Sequence, residues 1–129
     1  MAQTPIILLA DRSQSHIDDI AATLESGLSD CVHWVDDMSD ASMAVAIGGD
    51  GTLIRHGRQC ALANVPLVGV NSGRLGFLAK FNASTLIEHR EAVFTTSPNT
   101  IQSLLIEVQV NDEPPQIAMN ETVIAAGHP

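Results

Sequence analysis

The sequence predicts an α/β protein on a largely parallel sheet, and three observations carry that prediction. Unbroken apolar stretches of strand length recur over residues 1–100, as strands covered on both faces require. Segments with apolar residues at helical spacing separate them, and strands alternating with helices form parallel sheets. A glycine-rich turn, "GGDGT", joins one such strand to one such helix. That is the strand end at which open α/β sheets bind ligands.

The elements follow in order. "PIILLA" at residues 5–10 is a buried strand. "SHIDDIAATLESGL" at 15–28 is a helix, with Ile17, Ile20, Ala21, Leu24 and Leu28 on one face. Ser15 with Asp18 three residues later resembles a capping box at its start. "CVHWV" is a short second strand, and "DDMSDAS" is a solvated acidic loop, a commoner state for such a run than a metal site. "MAVAI" at 43–47 is a third buried strand that enters the glycines, and residues 52–63 continue as a helix. "VPLVGV" is a fourth strand, and "STLIEHREAVF" is a helix with Ser84 as its N-cap. Beyond residue 100 the pattern changes: "IQSLLIEVQV" largely alternates, "NDEPPQ" is a turn and "IAMNETVIAA" is β-like. The chain thus divides into an α/β nucleotide-binding domain at 1–100 and strands that leave it at 101–129.

Bulk properties narrow the function. A chain of 129 residues supports one core without a disulfide or metal staple. With 45% apolar and 16% charged residues it is not a disordered sequence. Its apolar runs are too short for a membrane span, and its first residues lack the basic start and cleavage site of a secretory leader. Cys31 and Cys60 lie on apolar segments and are expected as free, buried thiols of a cytoplasmic protein. Six basic against fifteen acidic residues, a net charge of -9, argue against nucleic acid as a partner. A small nucleotide is still accommodated, because backbone amides and a metal ion neutralise its charge locally.

The stretch "AVAIGGDGTLIRHG" at 44–57 carries the chemistry. Gly48, Gly49 and Gly51 permit positive φ and the close approach of a ligand. Amides at a helix start favour an anion. Neither common phosphate loop, GxxxxGK[ST] or GxGxxG, is present. Asp50 is therefore the anomaly. A carboxylate beside phosphates is repulsive unless it binds a metal, accepts a proton or orients a hydroxyl, and all three roles belong to phosphoryl transfer. The plain alternative is a tight turn in which Asp50 caps the helix. Arg55 and Arg58 share a helix face and, like Arg74, fit either phosphate steering or a solvated surface. His16, His33, His56, His89 and His128 show no ligand spacing such as HExxH. They are expected as surface or packing residues, and no residue is singled out as a metal ligand.

"GGDGT" resembles the signature of a kinase superfamily that includes NAD kinases, diacylglycerol and sphingosine kinases and, more distantly, phosphofructokinases. "PLVGVNSGRLGFLA" at 66–79 is similar to the segment that follows this helix in NAD kinases, and the GTxND-like segment of the lipid kinases is absent. "MNETVI" at 119–124 is similar to the NE/D motif of the same family. With three motifs in order, the chain is identified as resembling the N-terminal domain of an NAD kinase.

That resemblance implies a Rossmann-like N-terminal domain, then a β-rich C-terminal domain, with NAD bound between them. It implies transfer of the terminal phosphate of ATP, or of polyphosphate, to the 2′-hydroxyl of the adenosine ribose of NAD, giving NADP. It also implies a divalent ion such as Mg2+, and a homo-oligomer in the full-length protein. Matched by motif, Asp50 is the catalytic aspartate and meets NAD together with Gly51. Gly48, Gly49, Gly51, Thr52, Arg55 and Asn71 form the phosphate loop and its surroundings. Phe77 packs on adenine, and Asn120 with Glu121 holds a ribose. Without the resemblance, Phe77 reads as ordinary core, and an isolated "NE" carries no meaning.

The sequence stops at Pro129, just past the third motif. The expectation is therefore an N-terminal part, weakly active or inactive alone, whose apolar β-like tail is an unpaired sheet edge. Two alternatives stay open. One is another GGDGT-type kinase with a lipid or sugar-alcohol acceptor, and the other is a non-catalytic nucleotide-binding or partner-binding module.

Overall fold

The computed structural model describes residues 3–73, 79, 81–94, 105–108, 111–114 and 116–119. Strands β1 (Thr4–Leu9), β2 (Val32–Val35), β3 (Met43–Gly48) and β4 (Leu67–Asn71) form one sheet in the order β2-β1-β3-β4. Every neighbouring pair in it is parallel. Helix α1 (Ser15–Gly27) connects β1 to β2, and α2 (Asp50–Leu62) connects β3 to β4. Helices α3 (Ala83–Glu88) and α4 (Arg90–Val93) follow. Strands β5 (Leu105–Val108) and β6 (Gln116–Met119) pair antiparallel in a separate two-stranded sheet, with β6 beside α2.

Side-chain alternation on β3 explains how the helices cover both faces. All six of its residues are buried. Met43, Val45 and Ile47 join Ile6 and Val70 in the cluster that receives Ile17, Ala21 and Leu24 of α1 and Leu86 of α3. Ala44 and Ala46 point the other way, toward Cys60 and Leu53 of α2. Large side chains fill the α1 face. On the α2 face the small ones, with the buried Gly57 of the helix, let α2 lie close to the sheet. A strand covered on both sides has no polar position, hence the unbroken apolar run.

The α/β class and the parallel sheet are as predicted, but the helix starts differ; α2 begins at Asp50, two residues before the expected start. Gln14, not Ser15, precedes α1, and it makes no side-chain cap. The predicted partner Asp18 instead accepts a hydrogen bond from Arg12 Nε at 2.6 Å. A guanidinium outside the helix outcompetes a backbone amide for that carboxylate, because charge-assisted pairs are the stronger ones. The helix expected at 84–94 is two pieces that meet at His89, whose backbone leaves helical values (φ -102°, ψ 16°). Its start is Asn82, not Ser84. The Asn82 side chain accepts from the Thr85 amide at 2.8 Å, and Thr85 Oγ1 accepts from the Asn82 amide at 2.9 Å. This reciprocal pair is the capping box that α1 lacks. Cys60 is buried and Cys31 half-buried, both as free thiols, and burial pushes both thiols up.

Candidate active site

The strand order creates the site. From β1 the chain moves outward to β2, then crosses back to place β3 on the other side of β1. The carboxyl ends of β1 and β3 therefore feed loops that diverge to opposite faces, and the gap between such loops is where doubly wound sheets bind ligands. A cleft of about 210 Å³ lies there. Ala10, Asp11 and Gln14 from the β1–α1 loop line one side, and Thr52, Arg55 and His56 of α2 line the other. Ile17 and Ile47 supply apolar wall.

The GGDGT segment runs beside this cleft and reaches it through Thr52. Gly48 is the last residue of β3, Gly49 is the N-cap of α2 and Asp50 is its first residue. Asp50 therefore does not cap the helix. The first intrahelical bond runs from the Leu53 amide to the Gly49 carbonyl at 2.9 Å. The amides of Asp50, Gly51 and Thr52 precede that ladder, as the leading amides of any helix do, and Gly49 has no side chain to cap them. An amide-rich start with a positive dipole end suits an anion.

The glycines differ in why they are glycine. None of the three has positive φ, because the turn is a direct strand-to-helix entry that extended and helical values suffice to make. At Gly48 a Cβ would lie 2.7 Å from both Cβ and Cγ2 of Thr52. There the chain itself demands glycine. At Gly49 and Gly51 an added Cβ would meet nothing within 4 Å. Neither backbone angle nor packing among the described residues requires those two, and the space beside them is open.

Asp11 faces this loop with a fixed carboxylate. Its Oδ1 accepts from the Ser13 hydroxyl at 2.6 Å and the Ser13 amide at 3.2 Å, and its Oδ2 accepts from Gln14 Nε2 at 3.1 Å. Those bonds, with a smaller contribution from the Arg55 charge, hold its carboxyl below the usual carboxylate range. Burial holds the His56 imidazole below its ordinary value, opposed by a hydrogen bond with the Gln59 side chain and aided by the Arg55 charge. On the far side, Asn71 ends β4 level with Gly48. Its backbone and side-chain amides both donate to the Phe81 carbonyl, at 2.9 and 3.1 Å. Asn71 thus ties the end of β4 to the chain entering α3.

Residues 10–97 match the family described as the ATP-NAD kinase N-terminal domain. The chain belongs to that family. The match takes in both loops of the cleft and all of α2. Among individual NAD kinases, the chain is 34% identical to that of Rhodopirellula baltica over 122 residues, which are 90% of this chain and 37% of the relative. It is 34% identical to the NAD kinase of Nitrosospira multiformis over 113 residues, 83% of this chain and 38% of the relative. With that of Natranaerobius thermophilus it shares 31% over 91 residues, 67% of this chain and 32% of the relative. The chain spans about a third of the length of the curated NAD kinases it matches.

Within this NAD kinase family domain, Gly48, Gly49, Asp50, Gly51 and Thr52 come together with Arg55 beside one cleft, and Asn71 stands next to Gly48. Phe77, Arg74, Asn120 and Glu121 lie outside the described residues, and residues 120 and 121 also fall outside the family match. Sequence spacing pairs Arg55 with Arg58, but the cleft takes Arg55 and His56 instead. Both stand one turn from Thr52, at i+3 and i+4, and that spacing is the signal that finds His56. Asp11 and Gln14 carry no motif and emerge only with the strand order. Among the described residues, no group of three metal-ligating side chains occurs, and no helix is long and apolar enough to cross a membrane.

Proposed function

We propose that this chain supplies the phosphate-transfer loop of an NAD kinase, moving the terminal phosphate of ATP or polyphosphate to the 2′-hydroxyl of the adenosine ribose of NAD. The observation that carries the reading is the pair Gly49 and Gly51. Both flank Asp50 in the turn beside the cleft that Thr52 and Arg55 line, and an added Cβ at either would meet nothing within 4 Å. That space fits the close approach of phosphates, with the leading amides of α2 and the Arg55 guanidinium to meet their charge.

Asp50 then acts on the acceptor. Its carboxylate orients the ribose hydroxyl and takes its proton as the bond to phosphorus forms. In a loose transition state little negative charge need develop on the attacking oxygen beforehand, so placement matters more than basicity. Gly51 approaches NAD on the same side, and the Thr52 side chain occupies the space that a side chain at Gly48 would take. Asn71 holds the neighbouring loop in register. Phe77 takes the adenine, and Asn120 with Glu121 takes a ribose through paired hydrogen bonds.

A divalent ion fits this donor set. Magnesium is commonly held by substrate phosphates and water with one or two carboxylates at most, so the donor's phosphates would carry it here and no three-ligand cage is needed. When bound, Mg2+ neutralises charge on the transferring phosphoryl group. The working enzyme is proposed to be a cytoplasmic homo-oligomer, with neither nucleic acid nor membrane as a partner.

The test is NADP formation by a chimera in which this chain replaces the matched third of the Rhodopirellula baltica NAD kinase. The chain alone is measured beside it. The folded chimera should make NADP, and Asp50→Asn should lower the rate by about 100-fold or more. The chain alone should make little. A folded chimera with no activity would favour a non-catalytic nucleotide-binding module.

A further inference from the structure

Asp11 and Arg55 line opposite walls of the switch-point cleft, the first from the β1–α1 loop and the second on α2. Both are exposed, and neither makes an ion pair among the described residues. In a chain with fifteen acidic and six basic residues, an unpaired guanidinium beside a cleft points to an anion. The carboxylate opposite needs another explanation, because it repels that anion. Its own loop does not neutralise it. The Ser13 hydroxyl, the Ser13 amide and Gln14 Nε2 all donate to Asp11, and all three donors are uncharged. They fill three of the roughly four lone-pair positions of a carboxylate and leave one, on Oδ2. These bonds also keep the group ionised. Opposite charges on facing walls that do not close on each other fit a ligand carrying both signs: phosphate toward Arg55 and Thr52, a cation toward Asp11. A divalent ion on phosphate is such a ligand, and one carboxylate beside phosphates and water is a common setting for it. The volume agrees. About 210 Å³ is less than the roughly 300–1,000 Å³ that encloses a whole drug-sized ligand, and it suits the metal–phosphate part of a larger donor.

We propose that Asp11 is a specificity-determining residue of the donor site: its carboxylate faces the divalent ion that the donor's phosphates carry, Thr52 and Arg55 face the phosphates, and the cleft thereby takes metal-complexed phosphate and rejects bare phosphate. The inference rests on the proposed kinase function in placing the phosphate donor here.

Calorimetric titration of the chain with ATP, once in magnesium and once in EDTA, tests it. The parent should bind magnesium-ATP about tenfold or more tighter than metal-free ATP. Asp11→Asn keeps an acceptor for Ser13 and removes the charge. It should weaken magnesium-ATP by about tenfold, the effect of one lost charge-assisted contact, and leave metal-free ATP unchanged or tighter. Glu88→Gln removes the same charge from α3, which lines no part of the cleft, and should leave both affinities at the parent values. Four results would overturn the proposal: no binding of ATP by the parent, no magnesium preference in the parent, an unchanged preference in Asp11→Asn, or the same loss of preference in Glu88→Gln. NADP formation by the chimera alongside any of these would sink the inference and leave the kinase reading standing. A folded chimera without activity, beside a preference that depends on Asp11, would do the reverse.

Discussion

The two loops that face each other across the switch point are built on opposite plans. The β1–α1 loop satisfies itself: Asp11 takes up Ser13 and Gln14, and its carboxylate is held before any ligand arrives. The β3–α2 loop leaves room instead. Gly49 offers no cap, and the leading amides of α2 sit beside two glycines with open space around them. One loop is closed by its own side chains and the other has open space beside its glycines. Under the proposed function, open space at one loop admits the phosphates while the other holds its charge fixed, because preorganised groups need no rearrangement at the moment of reaction.

Gly48→Ala breaks this contrast most severely. The new methyl would lie 2.7 Å from Thr52 Cβ and Cγ2, and overpacking of this kind costs about 1–3 kcal/mol. Urea unfolding should show that loss. Gly51→Ala sharpens the same contrast with the opposite sign. Its methyl meets nothing within 4 Å, and alanine is favoured over glycine inside a helix by about 0.5–1 kcal/mol. The variant should therefore be as stable as the parent or more so, while NADP formation by the chimera falls by about tenfold or more through crowding of the phosphates. A Gly51→Ala chimera of full activity would remove the case for ligand approach at that position.

Smaller effects come from the titrating groups. His56 is held below 6.5 in the fold by burial. The unfolded chain then binds more protons as the pH falls through 6.5, so stability drops on acidification in that window. His56→Asn should flatten the slope, and the imidazole resonance should titrate below 6.5. Asp11 acts in the same direction at lower pH, from hydrogen bonds instead of burial. Its carboxyl lies below 3.8 because Ser13 and Gln14 donate to it. Its contribution is present above that value and is lost as the pH falls through the folded midpoint. Carboxyl NMR should find the midpoint below 3.8, and Ser13→Ala should raise it.

The sequence made local structure legible wherever one residue type dominates. β3 was readable because both its faces are covered, and the GGDGT turn because an aspartate among glycines has few structural uses. Helix starts were less so. Ser15 and Ser84 satisfy the local rule for a cap, but Arg12 takes Asp18 away from the first helix and Asn82 with Thr85 forms a better pair at the other. The far wall of the cleft was not readable at all. Asp11 and Gln14 become site residues only because β3 returns to the other side of β1, and strand order is a tertiary property with no local signature. His56 lies between these cases. Its spacing from Thr52 was visible, but its place in the cleft wall needed the packed helix.

The central claim is that the switch-point cleft between the β1–α1 loop and the start of α2 receives the phosphate donor. Amide chemical-shift mapping of the chain with magnesium-ATP tests it most directly. The account predicts shifts concentrated at residues 10–14 and 48–56, on both sides of the cleft at once. Shifts confined to the β5–β6 hairpin, or none in either loop at saturating ATP, would contradict it.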